Sequence, residues 1–451
     1  MTASASRALR SAGRLLARRA RPHVAGRSDR VAFVGPMPPA SSGVATYDAA
    51  VLDGLRRIGF LDRVELDVVW PVRQEDLPSI VAHRLGVLQM GNNVEFHRDI
   101  YRLAHHMPSL VTLHDLALDD FVNGLLELRD PLGSAALREA GTLALRMSAT
   151  GPPVDAPLTM PCCAAIARRA RGIIVHSDFG RRYLESFGCR TPIFVVPHPA
   201  IEATGDIERA SETARSLREP LQARGARTLI VAPGDINRAK CLDEVVAAVA
   251  ALDPSVHLVI AGRTIADYDP RPSIESAGLG ARTVVAPDVS DADFLDWIAA
   301  ADVVVDLRYP HRGEVSGTLA RAMQIGRATI VSGTGSYLDL PDNVTVRMPA
   351  GAPDPAELSV VIGALCEDPS RRSGIGEAAR AYVERLRESE ATANGYAAAI
   401  DSTLAVLADP TEEPRARWAA ALADIGVTES ELSLGHGLTY ARTLDSFRRS
   451  P

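Results

Sequence analysis

Of the 49 basic residues in this 451-residue chain, 48 are arginine and a single one, Lys240, is lysine. An ammonium is a compact point charge and a guanidinium a planar fork. The position therefore either escaped arginine by chance or needs what a guanidinium cannot supply. Lys240 closes the string Pro233-Gly234-Asp235-Ile236-Asn237-Arg238-Ala239-Lys240, which joins an apolar run to an amphipathic one. A cation at a helix start adds to the helix dipole and makes an anion site, with Arg238 close by. A second junction, Arg308-Tyr309-Pro310-His311-Arg312-Gly313-Glu314-Val315-Ser316-Gly317-Thr318, has the same character. Ser316, Gly317 and Thr318 open a helix with small residues, so their amides can approach phosphate oxygens closely, while Arg308 and Arg312 add positive charge. Glu314 is costly beside a phosphate but suited to accepting hydrogen bonds from hydroxyls. Phosphate and hydroxyls together point to a nucleotide-sugar rather than a plain nucleotide.

Two more residues stand at such junctions. His114, in Leu113-His114-Asp115, follows an apolar run. There its ring can face a cleft and donate to a hydroxyl or carbonyl, or it is a structural histidine; Asp115 is expected to cap the next helix. Gly43 ends the turn after the first apolar run and precedes a helix. It leaves room for a ligand near backbone amides, or simply closes a strand–helix loop. The string around it is neither GxGxxG nor GxxxxGK[ST].

The elements that must position these residues follow a strand–helix rhythm. Apolar runs at 31–35, 64–69, 85–90, 110–113, 172–175 and 193–196 alternate with helix-like periodicity and Gly/Pro turns. A second set runs through 228–234, 257–262, 283–287, 302–307 and 328–333, with helices at 241–252, 291–300 and 316–325. The expected class is α/β: two Rossmann-like domains with parallel sheets facing a cleft, and C-terminal helices. The expected organisation is a basic segment over 1–30, a first domain over 31–205, a second over 206–395 and a helical tail over 396–451. In open parallel sheets ligands sit at the carboxyl ends of the strands, where the junctions above fall.

Composition narrows the class. Apolar residues at 46% and charged residues at 23% suit a folded chain with sizeable cores. The net charge of −7 argues against a general nucleic-acid binder. Residues 1–30 hold eight arginines and one acid, as a disordered basic tail or a helix on an anionic membrane surface would. They contain no secretory apolar core. Five cysteines without metal-like spacing fit free thiols in a reducing cytoplasm, and the adjacent Cys162 and Cys163 fit packing rather than catalysis. No acid cluster is shaped for a divalent metal and no cofactor is implied.

In combination, PPASSGVATY, GNNVEFHRDIY (91–101), TLHD (112–115), VVPHP (195–199), INRAKCLDEVV (236–246) and LRYPHRGEVSGTLARAMQIGRATIVS (307–332) resemble the GT-B glycosyltransferases of the large retaining group called family 4. The resemblance covers about 31–400. It implies an acceptor-binding first half and a second half that binds a nucleoside-diphosphate sugar. It further implies Gly43 near the diphosphate, His114 near the transferred sugar, Lys240 on phosphate and Glu314 on sugar hydroxyls. Ser316, Gly317 and Thr318 would hold the diphosphate through their amides, with Val289 at the base. The chain departs from the family where Asp235 replaces an arginine, Pro287 a glycine and Arg321 the second of two spaced glutamates. Arg238 is the available compensation for Asp235. The expected activity is retaining transfer of a sugar to a glycan or lipid-linked acceptor. A nucleotide-sugar 2-epimerase and a non-catalytic binding subunit are the alternatives.

Overall fold

The computed structural model describes residues 30–408, apart from 41, 74, 151–155, 201–203 and 266–267. The basic segment 1–30, but for Arg30, and the tail beyond 408 thus lie outside the described residues. From Ile400 onward the chain forms a separate unit, whose described part is the last turns of the helix Ala391–Ala408.

The first half holds β1 (Val31–Val34), β2 (Leu66–Val69), β3 (Leu85–Met90), β4 (Ser109–Leu113), β5 (Gly172–Val175) and β6 (Ile193–Val195). The inner strands β1, β3, β4 and β5 are short, continuous apolar runs buried on both faces, as strands of a parallel sheet under helices must be, while the edge strands β2 and β6 are only partly buried. They pair all-parallel in the order β2-β1-β3-β4-β5-β6. The second half holds β7 (Thr228–Pro233), β8 (Val256–Gly262), β9 (Thr283–Pro287), β10 (Val303–Asp306), β11 (Ala328–Val331) and β12 (Val346–Arg347). Its order is β12-β11-β10-β7-β8-β9, again parallel. The direction in which strands are added therefore switches between β7 and β10, the crevice where open α/β sheets bind ligands. The junctions ending at Lys240 and Thr318 follow those two strands.

The joint between the halves falls near the start of the helix Thr204–Gln222, so the expected boundary at 205/206 lies inside its first turn. That helix belongs to the second half, where Arg209 pairs with Asp296 at 2.8 Å. The start of the last helix differs from expectation. It begins at Ala391, and Tyr396 is a buried residue of the first half, its hydroxyl 3.0 Å from that of Tyr47. Tyr396, Ala397 and Ala399 are therefore buried rather than part of a separate tail. Cys162 and Cys163 are buried in the first core, and burial pushes the Cys162 thiol up to about 12.

Candidate active site

Lys240 ends a single 3-10 turn (Arg238–Lys240) whose cap, Asn237, accepts from the Lys240 amide. It does not begin a long helix; the α-helix Leu242–Ala250 starts two residues later. The side chain turns inward beneath Gly234, where any Cβ would lie 2.7 Å from Nζ. There Nζ donates to Asp306 Oδ1 at 2.5 Å and to the Pro233 carbonyl at 3.4 Å. Asp306 is fully buried and Lys240 only 6% exposed. Burial opposes ionisation of Asp306, but Lys240 and Arg308 outweigh it and hold the carboxyl below its ordinary range. Burial and Arg308 in turn lower Lys240 against the pull of Asp306. The expected phosphate ligand is thus already half of a buried ion pair.

The pair extends into a lattice. Tyr337 donates to Asp306 Oδ2 at 3.2 Å. Arg308 donates to the Tyr337 hydroxyl at 3.2 Å, to Glu314 Oε1 at 3.1 Å and to Ser316 Oγ at 3.3 Å. Glu314 Oε2 accepts from the Arg312 amide at 2.9 Å. Burial would raise Glu314, but Arg308 and His311 keep it low and charged. Two cations and two carboxylates cancel, so the positive potential left for an anion comes from the helix Gly317–Ile325. Ser316 caps that helix, accepting from the Leu319 amide at 3.2 Å. A capped helix start carries partial positive charge on its first amides. Thr318 approaches the same Gly234, its Oγ1 3.4 Å from the position of a Cβ there.

From the first half, His114 Nε2 lies at hydrogen-bond distance, 3.0 Å, from the acceptor Gln89 Oε1. The ring lines a small cavity with Leu116, His176 and Ser177 of its own half and with Gly313 and Val315 of the other. Burial and the neighbouring His176, His97 and His198 hold it well below the ordinary histidine range. Asp115 does not cap a helix. It accepts from the Asn92 amide at 3.0 Å, and burial and Glu314 raise it to about 6. His114 thus lines this cavity from the first half, and Gly313 and Val315, the chain neighbours of Glu314, line it from the second.

The remaining expected residues are less closely gathered. Gly43 is the exposed first residue of the helix Gly43–Arg57, with open space where a Cβ would stand. Arg238 is exposed, 5.6 Å over the Tyr268 ring. Tyr268, Ile236, Thr264, Val285 and Pro287 line an open pocket of about 430 Å³ beyond the ends of β7, β8 and β9. Val289 lies on the adjoining loop and is not among that pocket's lining residues, whereas Pro287 is. Asp235, where the resemblance implies an arginine, pairs with Arg263 at 2.9 Å. Arg321 lies 5.8 Å over the Phe294 ring. Sequence reasoning missed Asp306, Tyr337 and Gln89. Asp306 did carry a signal, an acid closing the apolar run DVVVDL.

Two parallel α/β halves, with a site at the carboxyl edges of both sheets, define the GT-B fold. HepE from Anabaena, solved with UDP and glucose, matches with a TM-score of 0.57 at 15% identity, over 83% of this chain and 99% of that one. Sucrose-phosphate synthase from Thermosynechococcus elongatus matches with a TM-score of 0.56 at 16% identity, over 82% and 98%. Among curated proteins, D-inositol 3-phosphate glycosyltransferase of Xylanimonas cellulosilytica is 31% identical over 188 residues, 40% of this chain. The match spans 44% of that relative's length. No family model matches the chain.

Proposed function

We propose that the protein is a retaining, metal-independent glycosyltransferase that moves a sugar from a nucleoside diphosphate to a hydroxyl of a glycan or lipid-linked acceptor. The carrying observation is the meeting, at the reversal point of the second sheet, of a capped helix N-terminus with a charge-balanced lattice through Glu314, whose chain neighbours Gly313 and Val315 line a cavity with His114. In this reading the amides of Ser316, Gly317 and Thr318 take the diphosphate and stabilise the charge that develops as it leaves. Glu314 is held in place by Arg308 and by the Arg312 amide, and its remaining lone pairs accept from sugar hydroxyls. The pocket over Pro287 takes the base, with exposed Arg238 at its edge. The neighbour solved with UDP-glucose supports a donor of that class. The acceptor is met in the cytoplasm, with the arginine-rich residues 1–30 favouring an anionic membrane face. Among the described residues no helix is long and apolar enough to cross a membrane.

The test is a thermal-shift screen of UDP-, GDP-, ADP- and TDP-sugars, followed by calorimetry on the hit and NMR of the product linkage. One nucleotide-sugar should stabilise the fold, and its anomeric configuration should survive transfer. Release of a free isomerised sugar without acceptor would identify the epimerase instead. Binding with neither hydrolysis nor transfer would identify a binding subunit, a reading that the self-paired Lys240 favours. No response to any donor would overturn the proposal.

A further inference from the structure

Behind His114 the first half carries a buried polar string. Tyr396 places its hydroxyl 3.0 Å from that of Tyr47, 2.9 Å from Thr112 Oγ1 and 3.4 Å from Gln89 Oε1. The same Gln89 oxygen lies 3.0 Å from His114 Nε2. Gln89 is fully buried, and its amide nitrogen has no hydrogen-bond partner among the described residues. Asp48 is fully buried as well, and neither of its carboxyl oxygens has a partner there. The two side chains flank one glycine: a Cβ on Gly35 would stand 2.2 Å from Asp48 Oδ2 and 2.6 Å from Gln89 Cγ.

A carbonyl oxygen only accepts, so the ring atom facing it must carry the proton. The orientation of the amide follows from its partners. Tyr396 brings a hydroxyl donor to the oxygen, which leaves the amide nitrogen as the atom without a partner. A neutral imidazole protonated on Nε2 keeps a lone pair on Nδ1, the nitrogen that remains for a ligand in the cavity shared with Gly313 and Val315. The groups that face the ring are His97, His176, His198, Tyr47 and the adjoining Asp115. Tyr47 sits edge-on to it at 4.6 Å, and His176 lies 5.4 Å away.

We propose that Gln89 is a positioning residue that fixes His114 as the Nε2–H tautomer, so that the cleft meets an acceptor and the sugar recognised there offers a hydroxyl rather than a carboxylate. This reverses the sequence expectation that the ring donates. A lone pair binds the hydroxyl of an uncharged hexose and repels the carboxylate of a uronic acid. The sugar half of the inference rests on the proposed donor reading; the tautomer half does not.

The experiment reads imidazole ¹⁵N shifts through long-range proton correlation, with the His114 signals assigned by their loss in His114→Gln. The wild type should show a protonated Nε2 and an unprotonated Nδ1 across pH 6 to 8. Gln89→Leu should yield a mixture of tautomers. Gln89→Glu should keep Nε2 protonated but raise the ring's titration, moving the acid limb of kcat/KM to higher pH; this variant serves also where Gln89→Leu does not fold. An Nδ1–H tautomer in the wild type, or an unchanged tautomer in folded Gln89→Leu, overturns the proposal. With the nucleotide identified, a hexose donor should be preferred over its uronate by on the order of tenfold or more, the worth of one hydrogen bond. Equal use or a uronate preference overturns the sugar half. A protein that binds no donor while showing the expected tautomer refutes the donor reading alone.

Discussion

Lys240 and Asp306 lie 2.5 Å apart with almost no solvent access, so each charge depends on the other. Removing one partner of a buried pair costs about 3–5 kcal/mol, because the survivor is left uncompensated. Lys240→Met should therefore lower stability by that order in urea melts, and Asp306→Asn by somewhat less, since it keeps an acceptor for Tyr337. The double variant should recover more than half of the combined loss. Strictly additive single effects would show that the pair is not a unit. The same variants bear on donor binding. If a diphosphate draws Lys240 away from Asp306, Asp306→Asn tightens the donor while Lys240→Met weakens it. If Lys240 only supports the loop, both weaken it. The lone lysine was visible in the sequence as unusual, and its place after a strand was legible. Its partner was not, because Asp306 lies 66 residues away and is brought near only by β7 lying beside β10.

The loop between β10 and the helix Gly317–Ile325 reaches from one half to the other. The Arg312 carbonyl accepts from the Leu116 and Ala117 amides at 3.0 and 3.1 Å, and its guanidinium grips Asp119 at 3.0 and 3.2 Å. Gly313 follows with φ at +82°, and a Cβ there would lie 2.6 Å from the Leu116 side chain. Left-handed backbone and close approach both demand glycine. Gly313→Ala should cost roughly 1–2 kcal/mol in backbone strain alone and push Leu116 away. Arg312→Met keeps the backbone contacts but loses the carboxylate grip. In both variants small-angle scattering should show a larger radius of gyration, and donor affinity should fall roughly 3- to 10-fold. Unchanged scattering would mean that the loop does not hold the halves together. At this scale much was legible: β3, β5, β9 and the helix Asp291–Ala300 fall at the residues that periodicity indicates. The two-residue β12 was not, being too short for a pattern. The cross-half grip of Arg312 on Asp119 was not legible either, since 193 residues separate them.

Across the whole molecule, the buried histidines make stability depend on pH in one direction. His97, His105 and His176 are pushed down by burial to about 4, and His198 to about 3. All four belong to the first half. An unfolded histidine titrates near 6.5, so between about pH 6.5 and 4 the unfolded chain binds protons that the fold refuses. Stability is then fully present above the ordinary pKa and is lost as pH falls towards the folded values. Asp115 at about 6, and Asp48, which burial raises well above its ordinary value, act the other way, holding protons in the fold. With His114, which burial also holds well below the ordinary range, five groups against two leave a net uptake of roughly one to three protons on unfolding. That amounts to roughly 1–4 kcal/mol per pH unit, a large part of a typical domain's 5–15. Urea melts at pH 7.5, 6.5, 5.5 and 5.0 should thus show midpoints falling steadily, and fastest below 6.5. The location can be read separately. Trp70 stands in the first half and Trp297 in the helix Asp291–Ala300 of the second, so with Trp418 replaced by Phe each can be retained alone. The Trp70 signal should change at a higher pH than that of Trp297, because the refused protons belong to the first core. A midpoint that stays level from pH 7.5 to 5.0, or rises on acidification, would show that the buried histidines take up protons without opening the fold.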